Sequence, residues 1–393
     1  MKPNFEPGGK LHAFRSVFDG FETFLFTPQT TSTSGVHIHD RMDSKRTMII
    51  VVSALIPCLL FGMYNTGYQH WLACGESHFP FWELMLYGFL AVLPRIVVAY
   101  VVGLGIEFAV AQWRKEEIQE GFLVTGILIP LICPVETPLW MLAVATAFAV
   151  IFAKEVFGGT GYNIFNVAIV TRVFLFFAYP AQMSGDKVFV ATEPILGISG
   201  TAPDSFTGAT PLGEVATSDA ASGLHITGLT GDPISLWDAF LGLIPGSFGE
   251  TSTLCILIGA IILLATGIAS WRIMLSVFAG GTVMSLIANW CASPLYPASY
   301  LTVGQQLCLG GFAFAAVFMA TDPVTAARTN TGKYIYGFLI GVIAIIIRVY
   351  NNGYPEGAML AVLLMNAFAP LIDYCVVQAN INRRMRRLKA KES

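Results

Sequence analysis

The sequence predicts an all-α polytopic membrane protein of about ten transmembrane helices in two inverted five-helix repeats. Three observations carry that expectation. Hydrophobic residues make up 55% of the 393-residue chain and charged residues only 12%, against roughly 25% charged in a soluble domain, so a water-soluble globule of this size is excluded. Apolar runs recur from Met48 to about Val377, near the roughly 20 residues a helix needs to cross a bilayer. Finally, Gly121-Phe122-Leu123-Val124-Thr125 leading to Cys133-Pro134-Val135 is matched by Gly311-Phe312-Ala313-Phe314-Ala315 leading to Asp322-Pro323-Val324. Five crossings per copy is an odd number, which turns the second copy upside down.

Residues 1–47 are polar to amphipathic, so no cleavable signal peptide is expected; Phe14, Phe18, Phe21 and Phe24 form an apolar stripe there, of the kind that lies in a membrane interface. The first repeat covers 48–181, with spans near 48–65, 84–112, 121–134, 138–153 and 162–181. A loop at 182–235 follows, and the second repeat covers 236–377, with spans near 251–269, 272–290, 304–321, 334–349 and 357–377. Residues 378–393 form a basic tail. With both termini on one side, ten crossings collect all 22 Lys and Arg except Arg95, Arg172, Lys187 and Arg348 at that end. Positive flanks stay cytoplasmic, so the termini are expected inside and the 182–235 loop outside.

The net charge of -3 provides no basic footprint for nucleic acid. Seven cysteines without a C-x-x-C pair support neither a disulfide framework nor a zinc site, and His37 and His39 beside Asp40 read as a solvated segment, so no metal is expected. Thr125, Asn163 and Asn166 from the first half and Asp322 from the second are polar positions that the inverted arrangement turns toward each other. Either asparagine reads equally as a cap or turn residue. Charge within a span is costly and usually purposeful: Glu107 shares a helix face with Gly103 and either serves a site or pairs with Arg114 or Lys115. Asp373 offers a hard oxygen or a counter-ion for the tail arginines. Arg95, Arg172 and Arg348 also fall in or at the ends of spans, with no partner assigned.

Thr207-Gly208-Ala209-Thr210 resembles the site at which a flavin transferase esterifies FMN phosphate to the second threonine, although alone it also reads as a plain turn. It is joined by Phe5-Glu6-Pro7-Gly8-Gly9-Lys10, Lys154-Glu155-Val156-Phe157-Gly158-Gly159-Thr160-Gly161, Ile268-Ala269-Ser270-Trp271-Arg272, Met319-Ala320-Thr321-Asp322-Pro323-Val324 and Tyr354-Pro355-Glu356-Gly357. Together these motifs resemble the B subunit of the sodium-translocating NADH:quinone reductase, from about residue 4 to 388.

The resemblance implies an enzyme subunit of a six-subunit complex in the bacterial cytoplasmic membrane that passes electrons from NADH, oxidised on another subunit, to quinone while exporting sodium ions. It implies covalent FMN on Thr210 and a noncovalent riboflavin beside Asn163 and Asn166, with Thr125 and Asp322 as neighbours. Gly103, Glu107, Phe148 and Asp19 would border the quinone region, and Asp373 the sodium pathway. Membrane lipid, quinone, sodium and the other subunits are the implied partners. Two alternatives stand beside it: the D subunit of an Rnf-type complex, which generally lacks the Glu-Pro-Gly-Gly-Lys extension, and a flavin-free channel resembling urea transporters, which has no use for the Thr210 loop.

Overall fold

The computed structural model describes residues 44–76, 78, 80–114, 121–183, 188–201, 208–218, 226–229 and 231–392, with the single positions 18 and 35. Among the described residues the chain is helical, without a strand beyond two isolated bridges. The first half holds α1 (Ser44–Ala73), α2 (Phe81–Arg114), α3 (Phe122–Ile132), α4 (Leu139–Ala149) and α5 (Val167–Ala178). Two short helices, α6 (Pro211–Thr217) and α7 (Leu236–Leu241), lie in the connection. The second half holds α8 (Thr253–Ala265), α9 (Trp271–Trp290), α10 (Val303–Cys308), α11 (Phe312–Phe314), α12 (Asn330–Tyr350) and α13 (Ala358–Glu392).

Among the described residues six helices are long and apolar enough to cross a membrane: α1, α2, α4 with its extension to Phe157, α9, α12 and α13. The other four crossings use shorter pieces, α3, α5, α8 and the broken pair α10–α11. That shortness is physical. A helix can stop short of the full membrane thickness only where protein, not lipid, satisfies the freed backbone groups, and each of these four packs against a longer helix. One correction to the sequence expectation follows: the fifth span begins at Val167 and not at 162, because Asn163–Asn166 precede the helix as non-helical chain. The basic tail is helical, since α13 runs on unbroken through Arg383, Arg384, Arg386 and Arg387.

Long helices meet through small residues. A methyl group on Gly88 would overlap the Met63 backbone and one on Gly67 the Leu84 backbone, so α1 and α2 approach closely; Gly280 and Gly341 do the same for α9 and α12. Lipid supplies no hydrophobic drive between helices, so close van der Waals packing has to hold them. Across the halves, α1 packs on α8 and α5 on α13.

The internal repeat is visible in the packing. Phe122, at the start of α3, fills the space that a side chain on Gly103 of α2 would need, and the Lys154 ammonium lies 5.9 Å from its ring centre. Phe312, at the start of α11, fills the space beside Gly281 of α9, with the Arg348 guanidinium of α12 at 6.0 Å. Glycine from the second helix, phenylalanine opening the third and a cation from the fourth thus recur in both halves. Both halves also contain a π-helical turn, Val150–Lys154 and Ala315–Met319, a departure from α-geometry often found at functional sites.

Candidate functional site

The ends of six elements converge at the end of the bundle that carries Arg114, Lys154, Arg272, Arg328 and Lys333. They enclose a cavity of about 860 Å3, its open side included, whose lining draws on the start of α1 (Thr47, Met48), Gly121 and Thr125 of the α3 region, Lys154, Thr160, and Asn163 and Asn166 before α5. The second half adds Leu263 and Ile268 near the end of α8 and Phe318, Thr321, Asp322 and Val324 in and after the π-turn. Thr125, Asn163, Asn166 and Asp322, separate in sequence, therefore line one space between the halves.

Local sequence explains each placement. Gly158, Gly159 and Gly161 take positive φ values of 120°, 91° and 89°, which side chains rarely tolerate, and they turn the chain from Lys154 back to Asn163. Asn166 is the N-cap of α5: its Oδ1 accepts from the backbone N–H groups of Ala168 and Ile169 at 3.1 and 3.3 Å, while its Nδ2 donates to Asp322 Oδ2 at 3.2 Å. Asn166 thus acts as the cap, and it pins the first half to the second. Asp322 also accepts from Val324 N at 3.1 Å and Thr325 Oγ1 at 3.2 Å. Asn163 donates to Phe165 O at 3.1 Å, and among the described residues its Oδ1 accepts no hydrogen bond. Asn163 therefore retains an acceptor and an N–H for a ligand, whereas Asn166 is nearly committed.

At the opposite end a smaller cavity, about 320 Å3 with its open side, is lined by Thr210, Leu212, Ser247, Glu250, Gly310 and Glu356 among others. Thr210 is half-buried and caps α6, its Oγ1 accepting from Gly213 N at 3.1 Å. Leu212 packs on Gly310, where a Cβ would clash with it, and Glu214 accepts from Thr227 N at 2.9 Å. Burial pushes the Glu214 carboxyl above its ordinary pKa, with the Thr227 hydrogen bonds acting against that. Behind this cavity Arg172 donates to Glu250 at 2.7 Å and to Glu356, and Arg348 donates to the carbonyls of Gln306, Leu309 and Glu356. Two of the three unassigned arginines thereby find partners. Arg95 donates to Ala91 O and faces Glu136.

The residues expected near quinone and sodium sit as follows. The Phe122 ring occupies the space that a side chain on Gly103 would need. Glu107 pairs with Lys154 and not with Arg114, since the π-turn swings Lys154 inward; Arg114 instead binds Glu155, donating to its carbonyl at 2.7 Å, and Lys115 lies outside the described residues. Phe148 is 37% exposed and stacks on Phe174 with ring centres 4.5 Å apart. Asp373 accepts from Arg328 N (2.7 Å), Thr329 N (3.0 Å) and Thr329 Oγ1 (2.5 Å), clasping the turn that starts α12. Asp19, His37, His39 and Thr207 lie outside the described residues. Among the described residues no His, Cys, Asp or Glu cluster could hold a metal ion. Sequence reasoning missed Lys154 as a cavity residue; the signal available was an ionisable side chain inside the glycine-rich motif at a span end.

Inverted helical halves enclosing a polar cavity between them define an integral membrane protein with a cavity at the repeat interface. The NQR2, RnfD, RnfE family model matches residues 31–382, and the chain belongs to this family. It is 44% identical to the B subunit of the Na(+)-translocating NADH-quinone reductase of Chromohalobacter salexigens, over 98% of this chain and 95% of that one. It is 45% identical to the B subunit of the enzyme of the same name from Ectopseudomonas mendocina (98% and 97%) and 43% identical to that of Klebsiella pneumoniae (98% and 98%).

Proposed function

We propose that this chain is the flavin-bearing membrane subunit of a sodium-translocating NADH:quinone reductase, with riboflavin in the basic-end cavity and FMN esterified to Thr210 at the opposite end. The observation that carries the reading is the convergence of Thr125, Asn163, Asn166 and Asp322 on one cavity between the two halves. Its lining fits an isoalloxazine. Leu128, Leu263, Phe318 and Val324 offer apolar contact to a flat ring, and an asparagine amide both donates and accepts, as the mixed edge of that ring requires.

When bound, the flavins supply one- and two-electron transfer; the chain's residues bind and orient them. Asn163 holds the ring edge, Asn166 and Asp322 fix the two halves around it, and Thr210 gives the hydroxyl that a flavin transferase esterifies. Positive flanks stay inside, so the basic end faces the cytoplasm of the bacterial inner membrane and Thr210 the far side, where an exported transferase works. The remaining subunits of a six-subunit assembly supply NADH oxidation, and sodium export belongs to the whole complex. Quinone and lipid meet the exposed stack of Phe148, Phe152 and Phe174 more readily than the packed Gly103 face.

Peptide mass spectrometry of protein made beside an active flavin transferase tests the covalent site. The Thr210 peptide is expected to carry FMN, and Thr210→Ala to lose all flavin that survives denaturation. An unmodified Thr210 peptide from that preparation rejects the assignment.

A further inference from the structure

We propose that Lys154 is a positioning residue that sets the electrostatic potential of the basic-end cavity, and with it the reduction potential of the flavin held there, while Glu107 tempers it from behind. The proposal rests on the reading of this cavity as the riboflavin site. Lys154 and Glu107 are 4% and 6% exposed. Their ion pair joins α2 to the end of α4, yet Arg114 already ties the same two elements through Glu155. Burying two charges is expensive, and an apolar pair often serves structure at least as well, so a purely structural role leaves the pair unexplained.

The geometry of Lys154 is specific. It closes the π-turn with φ -124° and ψ -64°, outside helical values, which turns it toward the cavity that it lines, whereas Glu107 is not part of the lining. Its repeat-related counterpart, Arg348, spends its guanidinium on backbone carbonyls and does not line the opposite cavity. Among the described residues that line the cavity, Lys154 and Asp322 alone are charged, and Asp322 is already met by three donors. Those donors are neutral and solvate the Asp322 carboxylate where it stands, whereas Lys154 brings the positive end of its pair with Glu107 to the lining and is the cation that a ligand there meets. An electron that arrives from NADH through the complex and leaves to quinone adds one negative charge to the ring while it resides there. Lys154 stabilises that charge through space and gives up no proton, and a fixed charge near a flavin ring is a recognised means of tuning it.

The test is a redox titration of the noncovalent flavin in the purified complex, with extractable riboflavin measured on the same samples. Lys154→Met is expected to lower the potential and to weaken affinity for the reduced ring relative to the oxidised ring by about 10-fold or more, the size of one lost charge at an intermediate dielectric. Glu107→Gln is expected to raise the potential, and Lys154→Arg to restore it. Should Lys154→Met fail to assemble, the double variant Lys154→Met/Glu107→Gln, which buries no unpaired charge, is expected to fall between the two single changes. Shifts of opposite sign are what a merely structural pair does not produce. Full riboflavin occupancy with unmoved potentials, or shifts of the same sign, overturns this proposal alone; a wild-type complex without extractable riboflavin overturns the site reading and this proposal with it.

Discussion

The two ends of the bundle are built on one repeated plan and differ in what fills it. At the basic end, glycine, phenylalanine and lysine (Gly103, Phe122, Lys154) flank a cavity of about 860 Å3 whose amides and hydroxyls are partly unsatisfied. At the other end the equivalent set (Gly281, Phe312, Arg348) flanks about 320 Å3, and the space is taken by Arg172 bridging Glu250 and Glu356. Inversion thus gives two candidate sites, and side-chain volume and charge decide which stays open. A closed end held by buried ion pairs suits a rigid platform beneath Thr210; an open end lined by asparagines suits the receptor proposed above.

Breaking the closed end has the largest expected effect. Arg172→Met leaves the Glu250 and Glu356 carboxylates without their shared cation, and removing one partner of a buried pair costs about 3–5 kcal/mol. Thermal unfolding in detergent is expected to show the greatest loss of stability here, with Thr210 less completely flavinylated. A wild-type melting profile for Arg172→Met shows that this network is not what holds the closed end. Next comes Gly103→Leu, which drives a side chain into the Phe122 ring; overpacking of this kind costs roughly 1–3 kcal/mol. It is expected to lower riboflavin content together with stability, and an unchanged riboflavin content alongside altered quinone kinetics returns Gly103 to the quinone site.

The asparagines sharpen the comparison at smaller scale. Asn166→Leu removes an N-cap worth about 1 kcal/mol and the link to Asp322, so stability and riboflavin retention are expected to fall together. Asn163→Leu removes one local bond to Phe165 O beside its ligand-facing groups, each hydrogen bond contributing roughly 0.5–1.5 kcal/mol. It is expected to weaken riboflavin retention several-fold while the melting temperature stays within a degree or two, and a melting loss as large as that of Asn166→Leu contradicts the division of labour drawn between them.

Much of this was legible in the sequence because lipid imposes strong rules. Apolar runs gave ten crossings, the Gly121 and Gly311 motifs gave the repeat, and odd crossings per copy placed Thr125, Asn163, Asn166 and Asp322 on converging ends. What escaped were features set by local backbone geometry. Nothing in the residue pattern announces the π-turn that carries Lys154 to Glu107, so helix spacing offers the carboxylate Arg114 or Lys115 as its ion-pair alternatives to a site role. A glycine on an apolar helix looks the same whether a ligand or a phenylalanine ring covers it, and for Gly103 it is the ring of Phe122, 19 positions further along the chain. Asp373 similarly reads as a free acid until the Arg328–Thr329 turn is folded against it.

The central claim, that the open end holds a noncovalent flavin and the closed end a covalent one, is tested most directly by separating flavin released on denaturation from flavin that stays with the polypeptide, in the Asn163→Leu/Asn166→Leu double variant and in Thr210→Ala. The account predicts a crossed result. The asparagine variant loses released riboflavin and keeps its bound FMN, and the threonine variant loses this chain's bound FMN and keeps riboflavin. Full riboflavin release from an assembled double asparagine variant would contradict it.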